Sequence, residues 1–419
     1  MNTLNTVVRF CKSNVDVLFV LVLTSSVFYY IFLKCGYDLN LGYNCGSHDS
    51  DVPYHVHFAQ LKLINGDLLK GNFLLYLMVV LFSGFSKDYF VLGLSMSILL
   101  GMAEATTFVL YKTNIKQYLV GSSLKMSVHS SQKTDRIFGE GVPHIGAAAM
   151  LFVYVIPYLY LIGLLGFHNL RGSNMMYSPY YVPNVWHNST IIFSMPFSLG
   201  LFFLSEKALK ECRKDIILKM CIVASLGVFV KPSFFFIFLI GFPVVAFVRY
   251  RFDKDFFRCM LPVIVGCFSL VYVFISIYGE PSDGSSVFVD FSRLLQFDVI
   301  QIYRMMASLA FPVLFVVFRW KVIGKDLSFL YVMVLLISAI GIAMVCGETG
   351  PRSTHGNMSW QVVPAMQLTY YYILRSLMTT KVETRRELSI RNLIMVLFSL
   401  HVVSGVWYLV RYLVVGEYR

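Results

Sequence analysis

The sequence predicts an all-α protein, a polytopic bundle of transmembrane helices, and three observations predict it. Hydrophobic residues make up 57% of the 419 and charged residues only 14%, about half the charged share of an average soluble domain. A soluble fold of that composition would leave apolar side chains in water, which excludes a soluble enzyme, a disordered chain and a disulfide-stapled secreted domain. The apolar residues come in runs, and about 20 such residues are enough to cross a bilayer. The basic residues fall in short clusters between those runs, so the net charge of +12 marks cytoplasmic loops rather than a nucleic-acid surface. No nucleic-acid partner is expected.

In chain order, spans are read at about 17–34, 71–86, 89–111, 145–166, 190–205, 216–230, 232–248, 259–278, 304–318, 327–345, 360–377 and 392–413. The first run is followed by Lys34-Cys-Gly-Tyr rather than a small-residue cleavage site, so it is kept as a span and not as a removable signal. Residues 1–419 read as a single integral membrane domain without an internal repeat. The eight cysteines lack metal spacing and read as small buried hydrophobes. Cys35 and Cys45 flank an exterior segment and are the one pair whose placement suits a disulfide.

Orientation follows from charge. The clusters at 9–12, 112–136, 207–219, 249–258, 319–325 and 375–391 hold 24 of the 35 Lys and Arg, so all six are assigned to the cytoplasm. The loops at about 35–70, 167–189, 279–303 and 346–359 are assigned to the exterior. A full crossing by 71–86 would put the basic 112–136 loop outside, and its uninterrupted core, Phe73–Phe82, is short. That segment is therefore read as dipping in and returning, or as lying along the interface. The result is 11 crossings with the N-terminus in the cytoplasm; 12 would place one basic loop against the charge rule.

The exterior loops hold the chemically interesting residues. The first carries Ser-His-Asp-Ser-Asp-Val-Pro-Tyr-His-Val-His at 47–57. After Pro53 it reads as a short amphipathic helix on the membrane surface, with Asp49 and Asp51 placed to cap it. The same carboxylates, with His55, are candidate catalytic groups able to take a proton from a hydroxyl. A divalent cation is the one cofactor they leave open. No metal site is assigned, because His55 and His57 in a helix point to different faces and the spacing is not diagnostic. In the second loop Trp186, His187 and Asn188 combine a planar ring with hydrogen-bonding groups, which suits a sugar. An aromatic belt at the interface explains the neighbouring tyrosines.

Lys231-Pro-Ser interrupts two apolar runs, where a Lys costs on the order of 3 kcal/mol. It reads either as a snorkelling turn residue or as a phosphate contact. In the fourth loop Arg352 suits bidentate phosphate binding, and Glu348, His355 and Asn357 suit sugar hydroxyls; a plain polar hairpin is the alternative. Glu104 lies within an apolar run and should face the protein interior or a water-filled cavity.

Taken together, Asp49 and Asp51 before a His-rich amphipathic stretch, Trp186-His187-Asn188, Lys231-Pro232-Ser233 and His355-Gly-Asn-Met-Ser-Trp360 resemble the polytopic bacterial glycosyltransferases of the GT-C type and the O-antigen polymerases that share their logic. The resemblance covers the whole chain in architecture but only these short stretches in motif. It implies an inner-membrane enzyme that uses polyprenyl-phosphate- or pyrophosphate-linked sugars on the exterior, periplasmic side. By it, an acid of the first loop is the base or cation-holding group, and Lys231 and Arg352 hold the lipid phosphate. The partners it implies are a polyprenyl-linked sugar or oligosaccharide, membrane lipid and, for a polymerase, a polysaccharide chain-length regulator. The chain departs from many such polymerases in lacking one long exterior loop with several arginines. The expected function is a repeat-unit (O-antigen) polymerase. The alternatives are a transferase adding one sugar from a polyprenyl-monophosphate donor and a flippase of lipid-linked oligosaccharide, which would show paired halves.

Overall fold

The computed structural model describes residues 14–38, 43–44, 50–126, 141–156, 181–278, 285–292, 299–350, 357–379 and 384–416. Over these the chain is an all-α bundle. The helices are α1 (Val15–Cys35), α2 (Val52–Asn65), α3 (Leu74–Phe82), α4 (Tyr89–Met126), α5 (Val142–Phe152), α6 (Ser189–Lys210), α7 (Lys214–Val230), α8 (Ser233–Tyr250), α9 (Lys254–Tyr278), α10 (Val299–Ile323), α11 (Leu327–Val345), α12 (Val362–Thr379) and α13 (Arg385–Val415). Two short antiparallel pairs complete it. Strand β1 (Tyr37–Asp38) pairs with β2 (Tyr43–Asn44), and β3 (Val287–Val289) with β4 (Cys346–Glu348), Val287 facing Glu348. Eight helices, α1, α4, α6, α8, α9, α10, α11 and α13, are long and apolar enough to cross a membrane.

Contacts fix the direction of each helix. Lys112 of α4 reaches Asp16 at the start of α1 at 2.7 Å, and His144 at the start of α5 approaches the same carboxylate. Lys210 at the end of α6 meets Tyr118, and Tyr372 near the end of α12 donates to Asp326 at 2.7 Å. These mark one end of the bundle. At the other, Phe32 of α1 packs on Tyr89 of α4, Asp51 meets Ser189, Lys231 meets Thr190, Gly71 meets Ser276 of α9 and His187 meets Tyr408 of α13. Among the described residues the helices other than α2 and α3 thus run from one end toward the other, and eight of them are long and apolar enough to cross; the charge-based count of 11 also needs α5, α7 and α12, of which α5 has only 11 residues.

The second predicted span does not cross. Helix α3 has nine residues, about 13 Å of rise against a hydrocarbon core of roughly 30 Å. Both its flanks lie at the Asp51 end: the Gly71 N–H donates to Ser276 Oγ at 2.7 Å, and Gln60 Nε2 donates to the Lys87 carbonyl at 2.8 Å. The basic segments flanking the helices gather at the opposite end, as the charge rule requires.

The predicted span 145–166 is corrected. Its helix stops at Phe152, and residues 153–156 run extended against α13. Val153 already leaves the helix, with ψ at 132°, and residues 157–166 lie outside those described. Irregular backbone within a bundle survives only where protein satisfies its polar groups. The Tyr154 N–H donates to the His401 carbonyl at 3.0 Å, His401 Nδ1 donates to the Tyr154 carbonyl, and Ser404 Oγ to that of Val155. Gly405 makes this approach sterically feasible, because a Cβ there would overlap the Phe152 carbonyl. Gly101 plays the same part between α1 and α4, where a Cβ would meet Ser25. Small residues let helices close together where no hydrophobic effect drives them.

Helix α12 differs from the ordinary span expected at 360–377. Every residue from Val362 to Leu377 is buried, including Gln367, Tyr370, Tyr371 and Arg375. It is the bundle's central helix, ringed by protein rather than lipid, which is how it carries polar side chains. Glu104 of α4 is buried too, as expected of a carboxyl in an apolar run.

Candidate functional site

Four loops converge at the Asp51 end. The sequence around 47–53 makes Asp51 the residue before α2, with Pro53 in the first turn where its missing N–H costs nothing. The Asp51 carboxylate does not cap its own helix. It reaches instead to the start of α6: Oδ1 accepts from the Ser189 N–H at 2.9 Å and from Ser189 Oγ at 3.1 Å. The Asp51 N–H in turn donates to the His187 carbonyl at 3.1 Å. Asn188 is the true cap of α6, its Oδ1 accepting from the Ile191 N–H at 3.0 Å and from Thr190 Oγ1 at 3.0 Å. Asp51 and Asn188 thus share the orphan donors that every helix start leaves.

The second oxygen of Asp51 faces His55 Nε2 at 3.4 Å, one turn along α2. His55 Nδ1 lies 2.8 Å from the Tyr76 hydroxyl of α3. With the tyrosine donating to Nδ1, the ring presents Nε2–H to the carboxylate, so Tyr76, His55 and Asp51 form a chain with one tautomer assigned. His57 turns away and meets Gln60 at 3.3 Å, as its helical spacing from His55 requires.

Lys231 closes α7, and Pro232 and Ser233 open α8. Its ammonium donates to Thr190 Oγ1 at 2.9 Å and lies 5.1 Å from the ring centre of Trp360. Burial lowers its pKa to about 8, against the opposing pull of Asp51 and Glu348. Glu348 of β4 is itself held on both oxygens, by the Tyr278 hydroxyl and by Asn357 Nδ2 at 2.7 Å. Lys231 is therefore within the electrostatic reach of two fixed carboxylates, with an indole beside it. Below it a small cavity of about 10 Å³, room for a single water, is lined by Lys231, Phe197, Phe234 and Phe235.

Of the sequence-predicted residues, Asp51, His55, His187, Asn188, Lys231 and Asn357 fall in this cluster. His187 lies 3.4 Å from the Tyr408 hydroxyl and 6.2 Å, centre to centre, from Trp360. Trp186 is placed differently: its ring is buried against Phe28 at 5.8 Å and Phe152 at 5.9 Å, so it is core packing and has no free face for a sugar. Asp49, Arg352 and His355 lie outside the described residues, as does Cys45. Ser189, Thr190, Tyr76, Tyr278 and Trp360 were missed as site residues. Only Trp360 carried a signal, as the last residue of the 355–360 motif. Among the described residues no group of three or more His, Cys, Asp or Glu is arranged to hold a metal.

The burial of Asp51 raises its pKa, but His55, His187 and the Ser189 N–H more than offset that and hold it below the ordinary 3.8. A carboxylate with a lowered folded pKa adds stability at neutral pH that is lost as pH falls through that pKa. Thermal melts in detergent should show melting falling below about pH 4, with a shallower acid limb for Asp51→Asn. Identical acid limbs would mean that the Asp51 contacts do not form.

Chemically, the cluster offers a fixed cation, an oriented carboxylate–imidazole pair, a second carboxylate with an amide, and a half-buried indole. No described protein family and no curated protein matches this chain.

Proposed function

We propose that the chain is a membrane glycosyltransferase acting at the Asp51 end on polyprenyl-linked sugars in surface-polysaccharide biosynthesis, with that end facing the periplasm from a bacterial inner membrane. The observation that carries the reading is the meeting of Asp51 and Lys231 on adjacent residues, Ser189 and Thr190, at the start of α6. A cation and a proton acceptor on either side of one small space are what transfer from a lipid phosphate needs.

The donor phosphate lies on Lys231, with its lipid tail in the surrounding bilayer. The acceptor hydroxyl bonds to the anomeric carbon as the bond from that carbon to the phosphate oxygen breaks. The electron pair leaves with the phosphate, stabilised by Lys231. The hydroxyl proton passes to Asp51 Oδ2, the oxygen that faces His55 and lies outside the Ser189 contacts. Trp360, Glu348 and Asn357 bound the space opposite and hold sugar hydroxyls.

In the first reading both substrates are lipid-linked oligosaccharides and the enzyme is a repeat-unit (O-antigen) polymerase, with a chain-length regulator as its protein partner. A single-sugar transferase is the second reading. Deletion of the gene, followed by analysis of the surface polysaccharide, tests both. Single capped repeats are the expected result for the polymerase and a missing branch sugar for the single-sugar transferase. Lipid-linked intermediates trapped in the inner leaflet would identify a flippase and overturn the enzyme reading.

A further inference from the structure

A cleft of about 540 Å³ runs between α3, α4, α6 and α7, away from the Asp51 cluster. It spans Phe193 to Lys207 on α6, about 21 Å at the helical rise. One leaflet of hydrocarbon is about 15 Å deep, so the cleft is long enough for an acyl chain. Gly200 lies in its wall, and a Cβ there would meet only Val223 at 3.7 Å.

The cleft is polar at one end only. Near the Asp51 end it is walled by Met78, Phe193 and Pro196; at the basic end it is lined by Asn114, Gln117 and Lys207. Asn114 is buried and its carbonyl oxygen accepts from the Tyr371 hydroxyl. Its amide N–H groups, those of Gln117 and the Lys207 ammonium have no hydrogen-bond partner among the described residues. Three sets of donors thus face one end of an apolar channel, and the basic end adds Lys210 close by.

Apolar walls of this size beside a bilayer fill with hydrocarbon, because water there would lose its hydrogen bonds and a void would lose dispersion contacts. The polarity then decides which way the hydrocarbon points. We infer that the cleft holds one acyl chain of a phospholipid from the leaflet at the basic end, with its phosphodiester on Lys207, Gln117 and Asn114. A phosphodiester carries the charge for Lys207 and acceptor oxygens for the two amides. The cleft shares Phe197 and Val223 with the Lys231 pocket, so this lipid reaches the floor of the site from the opposite leaflet. The inference does not depend on the reaction proposed above.

The test is native mass spectrometry of the full chain released from nanodiscs of phosphatidylglycerol and phosphatidylcholine, with inorganic phosphate and polyprenyl phosphate offered in separate arms. Wild type is expected to retain one phospholipid per chain. Gly200→Phe, which fills the channel, should lose it. The exposed Lys207→Glu, which leaves the packing alone, should retain phosphatidylglycerol about fivefold less well. Size-exclusion profiles check that both variants fold; should Gly200→Phe fail, Lys207→Glu alone decides. No retained phospholipid on wild type, or retention unchanged in every folded variant, would overturn the inference. So would retention of inorganic phosphate or polyprenyl phosphate in preference to the phospholipid.

Discussion

Lys231→Met is expected to slow glycosyl transfer by about 10²–10³-fold while leaving the chain inserted and folded. Methionine keeps most of the length and apolar stem of the lysine and removes the ammonium, with its charge and its bond to Thr190. The ammonium bonds to Thr190 and lies beside Trp360, and no other cation is held there among the described residues to stabilise a leaving phosphate. Stability should move the other way. Burial lowers the Lys231 pKa from 10.5 to about 8, so the folded chain holds this proton less tightly than the unfolded one. The charged form weighs against folding at neutral pH, and the methionine variant should melt no lower than wild type. The same shift gives a pH signature. Wild-type transfer should fall as pH rises through about 8, and Lys231→Arg, always charged, should remove that fall whatever its absolute rate. Full-length polysaccharide from a folded Lys231→Met chain would remove Lys231 from the mechanism.

Why the lysine was legible and its surroundings were not has a physical reason. Hydropathy reports the cost of placing a residue in lipid, so an apolar run interrupted by Lys231-Pro-Ser stands out, as does a basic loop on the wrong side of a short span. That reasoning placed α3 correctly outside the crossings. Hydropathy does not report which face of a helix meets protein. Helix α12 therefore read as one span among the others, although its Gln367, Tyr371 and Arg375 are tolerated because other helices surround it. Trp186 was misplaced, and Trp360 left without a role of its own, for the same cause. Both sit near polar residues in sequence, but Phe28 and Phe152 cover the first while Lys231 approaches the second. Asp51 looked like a cap and is one, for α6 rather than α2; no local pattern distinguishes those two uses. Ser189 and Thr190 are ordinary first-turn residues until tertiary structure brings Asp51 and Lys231 to them. The break at Phe152 carries no hydropathy signal, since Val153, Tyr154, Val155 and Ile156 continue the apolar run.

Arg375→Met should cost about 3–5 kcal/mol of stability, the largest effect expected of a single substitution here. Arg375 of α12 and Glu206 of α6 are both buried, at 5% and 3% side-chain exposure. Arg375 Nη1 donates to both oxygens of Glu206, at 2.9 and 2.8 Å, and the guanidinium lies 4.3 Å from the ring centre of Tyr118. The sequence assigns Arg375 to a cytoplasmic cluster, where its loss would be nearly neutral; inside the bundle, its loss leaves Glu206 charged and unpaired. Replacing both residues should recover most of the loss, since the desolvation of two charges disappears with their attraction. Arg375→Met, Glu206→Leu and the double variant, melted in detergent, form the cycle that reads this coupling. The pair also bears on the distant site. Helix α6 starts at Ser189 and Thr190, and α12 begins two residues after Trp360, so the pair ties together the two elements that hold Lys231 between them. If it acts only by neutralising charge, the double variant regains turnover along with stability. If it sets the spacing of α6 and α12, the double variant melts like wild type and remains slow, because a leucine and a methionine carry no hydrogen bond to hold the helices in register. A single Arg375→Met chain that melts and turns over as wild type would show that the pair does neither.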